Sequence, residues 1–294
     1  MVARRDEPKA QLLRPMRFGG ERRHALALEA AANAEAPASL LRAQESGAVL
    51  AYGFADAPEA GRVFETLGFE SLGPAPLLVR PLRLSATALG SMLPQAARGL
   101  LARVPLVAPF GRARRTGFRE IAVKEPRISR LWDRFSVDIG VAVERTASFF
   151  DRRVFERLDE GYRVFIFEDG DRYAIRAMCI FKVKSEPAGL TGYVMELLHD
   201  RSVTGLRAAS HLLGLALREM MDAGAEAALA WSLPHSGSYP LFARHAFMSP
   251  GGGGRGRLGA SEVHVGVRAL DPAVDDVVTL RERWYLSYLD LESL

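Results

Sequence analysis

The sequence predicts an α/β chain built on mixed α+β sheets, and three observations carry that prediction. Tyr193–His199 is apolar on both faces, the pattern of a strand inside a sheet, and helical spacing follows over Gly205–Met221 before strand-like residues return at Ala225–Leu233. That order is a strand–helix–strand crossover. Upstream, Tyr162–Glu168 and Tyr173–Val183 read as antiparallel strands joined by Asp169-Gly170, a dipeptide favoured in tight hairpins. Finally, the order helix, strand, helix, strand occurs twice, once in the first third of the chain and once in the last.

Taken in order, an Ala-rich helical pattern runs from about Glu21 to Ala36 and is ended by Pro37. Ala48–Phe54 reads as a buried strand, Pro58 to Leu67 as a helix opened by Asp56 and closed by Gly68, and Leu77–Leu82 as a short extended run. Leu84–Gly117 begins amphipathic and becomes Pro- and Arg-rich, which predicts an interdomain helix followed by a linker; docking on a membrane surface is the alternative for this stretch. Phe118–Lys124 alternates as a strand, and Ile128–Asp138 and Val141–Leu158 read as helices. After the crossover come a short helix at Ser238–His245, a Gly251–Gly254 loop, extended residues near Glu262–Val267 and an aromatic tail, Arg283–Asp290. The expected division is therefore 1–83 as a partial unit, 84–116 as helix and linker, and 117–294 as a complete domain.

The chain has 294 residues, 48% of them hydrophobic and 25% charged, enough for two cores of ordinary composition. Its single cysteine, Cys179, excludes an intrachain disulfide and a cysteine-based zinc cage, and the histidines show no metal-ligand spacing, so no metal is expected. The N-terminus is charged throughout with no apolar core, and no apolar run reaches membrane-spanning length; a cytoplasmic protein without stable membrane insertion is expected. A net charge of +4 is too small and too dispersed to predict nucleic-acid binding. The dense basic stretch, Arg98 to Arg134, reads as a solvated linker and helix face.

The two copies of the repeat share a phrase at the end of the short helix: Arg62-Val-Phe-Glu-Thr-Leu-Gly-Phe69 and Tyr239-Pro-Leu-Phe-Ala-Arg-His-Ala-Phe247. Together with the element order, these phrases resemble the GCN5-related N-acetyltransferase (GNAT) superfamily, whose closing helix ends in a similar signature. The tail Trp284–Asp290 is similar to the C-terminal end of bacterial GNAT-like proteins with two such units. The resemblance covers nearly all of 118–294, but only the back half of the fold over 1–83. Two expectations follow for that half-unit: the chain's start lies downstream of the true one, or the half-unit completes its sheet against the second unit or another chain, which makes a homodimer one expectation.

The resemblance implies an N-acyltransferase that moves an acetyl group from acetyl-coenzyme A to a small-molecule or peptide amine. It places the cofactor against the backbone of Leu197, Leu198 and His199 and the start of the next helix, at Gly205, Arg207, Ala208 and Ala209, because helix N-termini attract phosphate. Two positions depart from the family's phosphate motif: Thr204 stands for Arg or Gln, and Arg207 for the central glycine. An arginine there could pair with phosphate through its side chain or block the approach to the amides. Glu196 stands on the strand that carries the family's frequent glutamate base; the other reading of Glu196 is a structural ion pair. The usual tyrosine acid is replaced by Phe242, leaving Tyr239 as the candidate acid, with Ser238 and His235 as alternatives. The same departures support a second function, a catalytically degenerate member acting as a ligand-binding or protein-interaction module.

Overall fold

A computed structural model describes residues 13–18, 21–29, 36–55, 58–83, 116–170, 173–187, 189–250 and 263–291. They form two compact units, each around its own six-stranded mixed sheet. The interdomain helix and linker expected at 84–116, its docking alternative and the Gly251–Gly254 loop lie, apart from residue 116, outside the described residues.

The first unit is assembled from 1–75, 139–144 and 261–284. It opens with strands β1 (Leu13–Phe18) and β2 (Glu21–Glu29), which pair antiparallel. Helix α1 (Ala36–Glu45) then crosses to β3 (Ala48–Ala55), parallel to β2. The described front of the Ala-rich run read as a helix, Glu21–Glu29, is thus a strand. Ala25 and Leu26 are adjacent and both buried, which suits the centre of a covered sheet. Alanine's helix propensity is overridden by that burial. Pro37 does not end a helix but sits in the first turn of one, where its missing N–H costs nothing.

Helix α2 (Pro58–Thr66) and strand β4 (Glu70–Pro74) follow. Two strands from later in the chain complete this sheet: β7 (Val141–Val143) on the outer side of β1, and β12 (His264–Ala269) between β3 and β4. The order is β4-β12-β3-β2-β1-β7. Because β3 has neighbours on both sides, it is not the exposed edge that pointed to dimerisation.

The second unit is assembled from 76–138, 145–260 and 285–294. Its sheet takes β5 (Leu77–Pro81) from the first third of the chain. It adds β6 (Phe118–Ile121), β8 (Arg163–Asp169), β9 (Ala174–Glu186), β10 (Gly189–His199) and β11 (Ala227–Trp231). The order is β5-β11-β10-β9-β8-β6, antiparallel except for β10 and β11. Each sheet therefore includes a strand from the other end of the chain, and the boundaries at 83 and 117 do not coincide with the units.

Three helices of this unit matter for the site: α3 (Ile128–Phe135), α5 (Val203–Asp222), which is the crossover, and α6 (Tyr239–Arg244). Helix α4 (Ala147–Arg153) begins only at Thr146, whose side chain accepts a hydrogen bond from the Phe149 amide. The helix expected over Val141–Leu158 is thus a strand, a capped short helix and a 3-10 turn. Its opening Val-Ala-Val is β-favouring and fully buried.

The repeated phrase has a shared geometry. At the end of α2, Phe69 N–H donates to Phe64 O at 2.9 Å and Gly68 N–H to Glu65 O at 3.0 Å, with Gly68 at φ +73°. At the end of α6, Phe247 N–H donates to Phe242 O at 3.0 Å and Ala246 N–H to Ala243 O at 3.0 Å, with Ala246 at φ +56°. Both are Schellman closures, and in both the two phenylalanines touch, at ring separations of 4.9 Å and 5.2 Å. Phe242 is accordingly a buried core residue.

Candidate functional site

The site begins at a defect in β10. Val194 pairs with Phe181 and Glu196 with Ile180, so Met195 is an extra residue, a β-bulge. Parallel pairing with β11 covers Thr191–Val194 and stops there, although β10 continues to His199. The two strands fork at the bulge. In the first unit the corresponding parallel pair, β2 and β3, shifts register once, between His24 and Ala25, and then stays paired to Glu29 and Phe54, so no such fork forms among the described residues.

The direction of the amides on the open limb follows from strand alternation. Asp200 N–H donates to Arg176 O of β9 at 2.8 Å. Residues two apart share a hydrogen-bonding side, so the amide of Leu198 also turns to β9, while those of Leu197 and His199 turn to the edge that β11 has left. The ring of His199 closes the far end of the fork: Nδ1 lies 2.9 Å from Asp200 O, and Nε2 lies 3.2 Å from Gly237 O in the loop before α6. Buried hydroxyls of Ser236 and Ser238 in that loop lie 3.0 Å apart, and Tyr239, half-buried, follows as the first residue of α6.

The start of α5 departs from the expected phosphate seat. Ser202 caps the helix, its Oγ accepting the Gly205 amide at 3.0 Å, while Leu206 N–H donates to Ser202 O. With the helix starting at Val203, the amides of Arg207, Ala208 and Ala209 lie beyond its first turn, where they donate to carbonyls four residues earlier. They are not available to a ligand, and the expected role for these amides is corrected accordingly. Ala208 and Ala209 are core residues. Gly205 makes room for the chain's own carboxylate: a Cβ there would overlap Asp200 Oδ1 and lie 2.7 Å from Asp200 O.

Asp200 in turn accepts from Ser202 N–H at 3.1 Å, from the Ser202 hydroxyl and from Arg176 Nη1 at 2.8 Å. Burial opposes its ionisation, but the hydrogen bonds from Ser202 and Arg176 outweigh burial and hold the carboxyl below the usual range. The side chain of Arg207 is exposed, and among the described residues it has no hydrogen-bonding or ionic partner.

Glu196 lies on the sheet face opposite α5 and is 1% exposed. Its Oε2 accepts from Arg145 Nε at 2.9 Å and from Ser287 Oγ at 3.0 Å, and its Oε1 accepts from the Tyr285 hydroxyl. Arg145, itself without exposure, also donates to both oxygens of Asp290, at 2.9 and 2.8 Å, and to Ser287 Oγ at 3.0 Å. Its guanidinium lies over Phe149, 4.9 Å from the ring centroid, and 5.5 Å from those of Trp132 and Tyr285. Burial works against the Arg145 charge, but Asp290 and Glu196 outweigh it, so its pKa lies above normal. Burial, then the Glu196 carboxylate, push the Tyr285 phenol well up. The same two causes, in the same order, raise the Cys179 thiol.

These contacts correspond to the ion-pair reading of Glu196, not the base. A base must release its hydrogen bonds and meet an amine, and this carboxylate is enclosed by an arginine, a tyrosine and a serine. Tyr285, Ser287 and Asp290 belong to the tail that carries part of the family resemblance, but neither they nor Arg145 are expected at the site from the sequence. The Ser287-x-x-Asp290 spacing is nevertheless a capping-box pattern, and the box is formed. Among the described residues no group of three His, Cys, Asp or Glu side chains could hold a metal ion, and no helix is long and apolar enough to cross a membrane.

Two mixed sheets, each with one parallel pair bridged by a helix, and a fork at a bulge in one of them define the class: the chain has the GNAT-like acyl-CoA N-acyltransferase fold. It is similar to Saccharomyces cerevisiae N-myristoyltransferase with bound myristoyl-CoA, at 14% identity and a TM-score of 0.55 over 88% of this chain and 62% of that one. It is also similar to a GCN5-related N-acetyltransferase from Anabaena variabilis, at 10% identity and a TM-score of 0.52 over 88% of this chain and 58% of that one. The chain thus spans less than two thirds of these neighbours. No family model and no curated protein matches its sequence.

Proposed function

We propose that the chain is an acyl-CoA-dependent N-acyltransferase, transferring an acetyl group from acetyl-CoA to a small-molecule or peptide amine. The observation that carries this reading is the fork at Val194. An extended pantetheine arm can lie along the open limb of β10 as an added strand would, its thioester carbonyl accepting from the outward amides of Leu197 or His199. Those donors gain strength as the carbonyl oxygen becomes an oxyanion. In this reading the exposed Arg207 side chain, one turn into α5, pairs with the pyrophosphate in place of the helix amides.

The amine nitrogen attacks the thioester carbonyl and the C–S bond breaks. The ammonium proton passes to water, the departing thiolate takes a proton from the Tyr239 hydroxyl, and water returns a proton to the Tyr239 oxygen. Glu196 has no step in this scheme.

The filled helix start at Asp200 and the phenyl ring of Phe242 favour a second reading, a non-catalytic member of the fold that binds a ligand or a protein. Thiol release from acetyl-CoA and from myristoyl-CoA, each with a panel of small amines and peptides, separates the two. Amine-dependent release that falls in Tyr239→Phe supports the transferase. Coenzyme A binding without amine-dependent release overturns it in favour of the second reading.

A further inference from the structure

The bulge does two things at once. Val194 and Leu197 are three residues apart, yet both join the core that packs on α5. In a regular strand, residues three apart face opposite sides. The extra Met195 restores Leu197 to that core and delivers Glu196 to the opposite face, where Arg145 receives it. The last register partners with β11, Val194 and Ala230, immediately precede the bulge. The residue gripped by Arg145 is therefore the first one beyond the fork.

Arg145 also grips the C-terminal segment. Ser287 and Asp290 form their own capping box, with Asp290 Oδ2 accepting the Ser287 amide at 2.9 Å, and both are tied to Arg145. Tyr288 of this segment stacks on Trp231 at 4.8 Å and meets Tyr193 edge-on at 5.4 Å, so it touches β10 just before the last pair and β11 just after it. One cation and two carboxylates in a dry interior are a costly way to fill space, since apolar residues of the same volume usually stabilise as well or better. What the ionic cluster adds is fixed geometry between three segments distant in sequence.

Resting on the acyltransferase reading above, we propose that Arg145, with Asp290 and Ser287, is a positioning cluster. It clamps Glu196 against the C-terminal segment and holds the open limb of β10 so that the Leu197 and His199 amides stay aimed into the fork. The C-terminal segment is then part of the acyl-CoA site, although it does not contribute to the fork edge. Glu196 acts through the strand that carries it, not on the amine.

The test compares Ser287→Ala, Asp290→Asn, Glu196→Gln and Glu196→Ala with the wild-type chain in amide hydrogen exchange, in calorimetric affinity for coenzyme A and in steady-state kinetics. Ser287→Ala, the mildest change, keeps the experiment informative if Asp290→Asn does not fold. The clamp predicts exchange at the β9-bonded amides of Leu198 and Asp200 about tenfold faster while amides of β8 are unaffected. Coenzyme A affinity falls about tenfold, KM rises in parallel, and kcat falls as well, because the same amides face the developing oxyanion. Glu196→Gln, which keeps the side-chain length and can still bond Ser287, retains more affinity than Glu196→Ala. Unchanged exchange at Leu198 and Asp200 overturns the clamp, as does a Glu196→Gln variant with lost kcat and intact affinity, the signature of a base. If the wild-type chain binds no coenzyme A, the acyltransferase reading falls while the exchange comparison still decides the clamp.

Discussion

Replacing Ala246 by glycine should stabilise this protein. Ala246 occupies the left-handed position of the Schellman closure after α6, at φ +56°, where Gly68 stands in the parallel closure after α2 at φ +73°. An L-residue in that region costs about 1–2 kcal/mol, and glycine's greater freedom in the unfolded chain returns about 0.4–1 kcal/mol of the difference. Ala246 is exposed, so deleting its methyl group loses no packing. The net gain for Ala246→Gly is about 0.5–1 kcal/mol, or roughly 1–4 °C in Tm for a chain of this size. The mirror change, Gly68→Ala, should cost about the same. An added Cβ meets only the Arg268 guanidinium, at 3.9 Å, so the cost is conformational, not steric. Denaturant unfolding of both variants checks the pair. A destabilised Ala246→Gly would refute the equivalence of the two closures, and with it the structural basis of the internal repeat.

Other expectations follow from the same contacts. A fragment of residues 117–294 lacks β5 and leaves one edge of β11 unpaired, so it should be aggregation-prone and lack a cooperative melting transition, whereas the full chain melts cooperatively. Arg145→Met leaves two buried carboxylates without their cation and should lower stability by about 3–5 kcal/mol, measured by urea unfolding. Burial, then the Arg80 cation, depress His245 to about 4, so the folded protein resists its protonation. The stability it contributes is complete above the unfolded histidine value of about 6.5 and declines as pH falls towards 4, by on the order of 2–3 kcal/mol. His245→Gln should flatten that part of the stability–pH profile.

Much of the fold was legible because it rests on local patterns. The crossover from Tyr193 to Phe247 and the repeated phrase ending in Phe69 and Phe247 both appear where periodicity and spacing place them. The Ala-rich stretch failed because Ala25 and Leu26 take their conformation from neighbours on both sides of the sheet, a context that propensity does not record. The unit boundaries failed for a related reason: nothing in Leu77–Pro81 or His264–Ala269 states which sheet each strand will join.

At the site, the family resemblance drew attention to β10, but the partners of Glu196 lie 51, 89 and 91 residues away, beyond the reach of any spacing rule. The helix start was readable in principle. Asp200-x-Ser202 ahead of a helical run signals a cap, and that cap moves Arg207–Ala209 out of the first turn.

The central claim is that the open limb of β10 cradles acyl-CoA and that the first unit, whose parallel strands do not fork, has no such cradle. Calorimetric titration of the full chain with acetyl-CoA tests it most directly. Saturable binding of a single molecule per chain is predicted, and Arg207→Ala should weaken it by about tenfold, the loss of one charge-assisted phosphate contact. Absence of both binding heat and thermal shift at millimolar acetyl-CoA, or two equivalent sites per chain, would contradict the account.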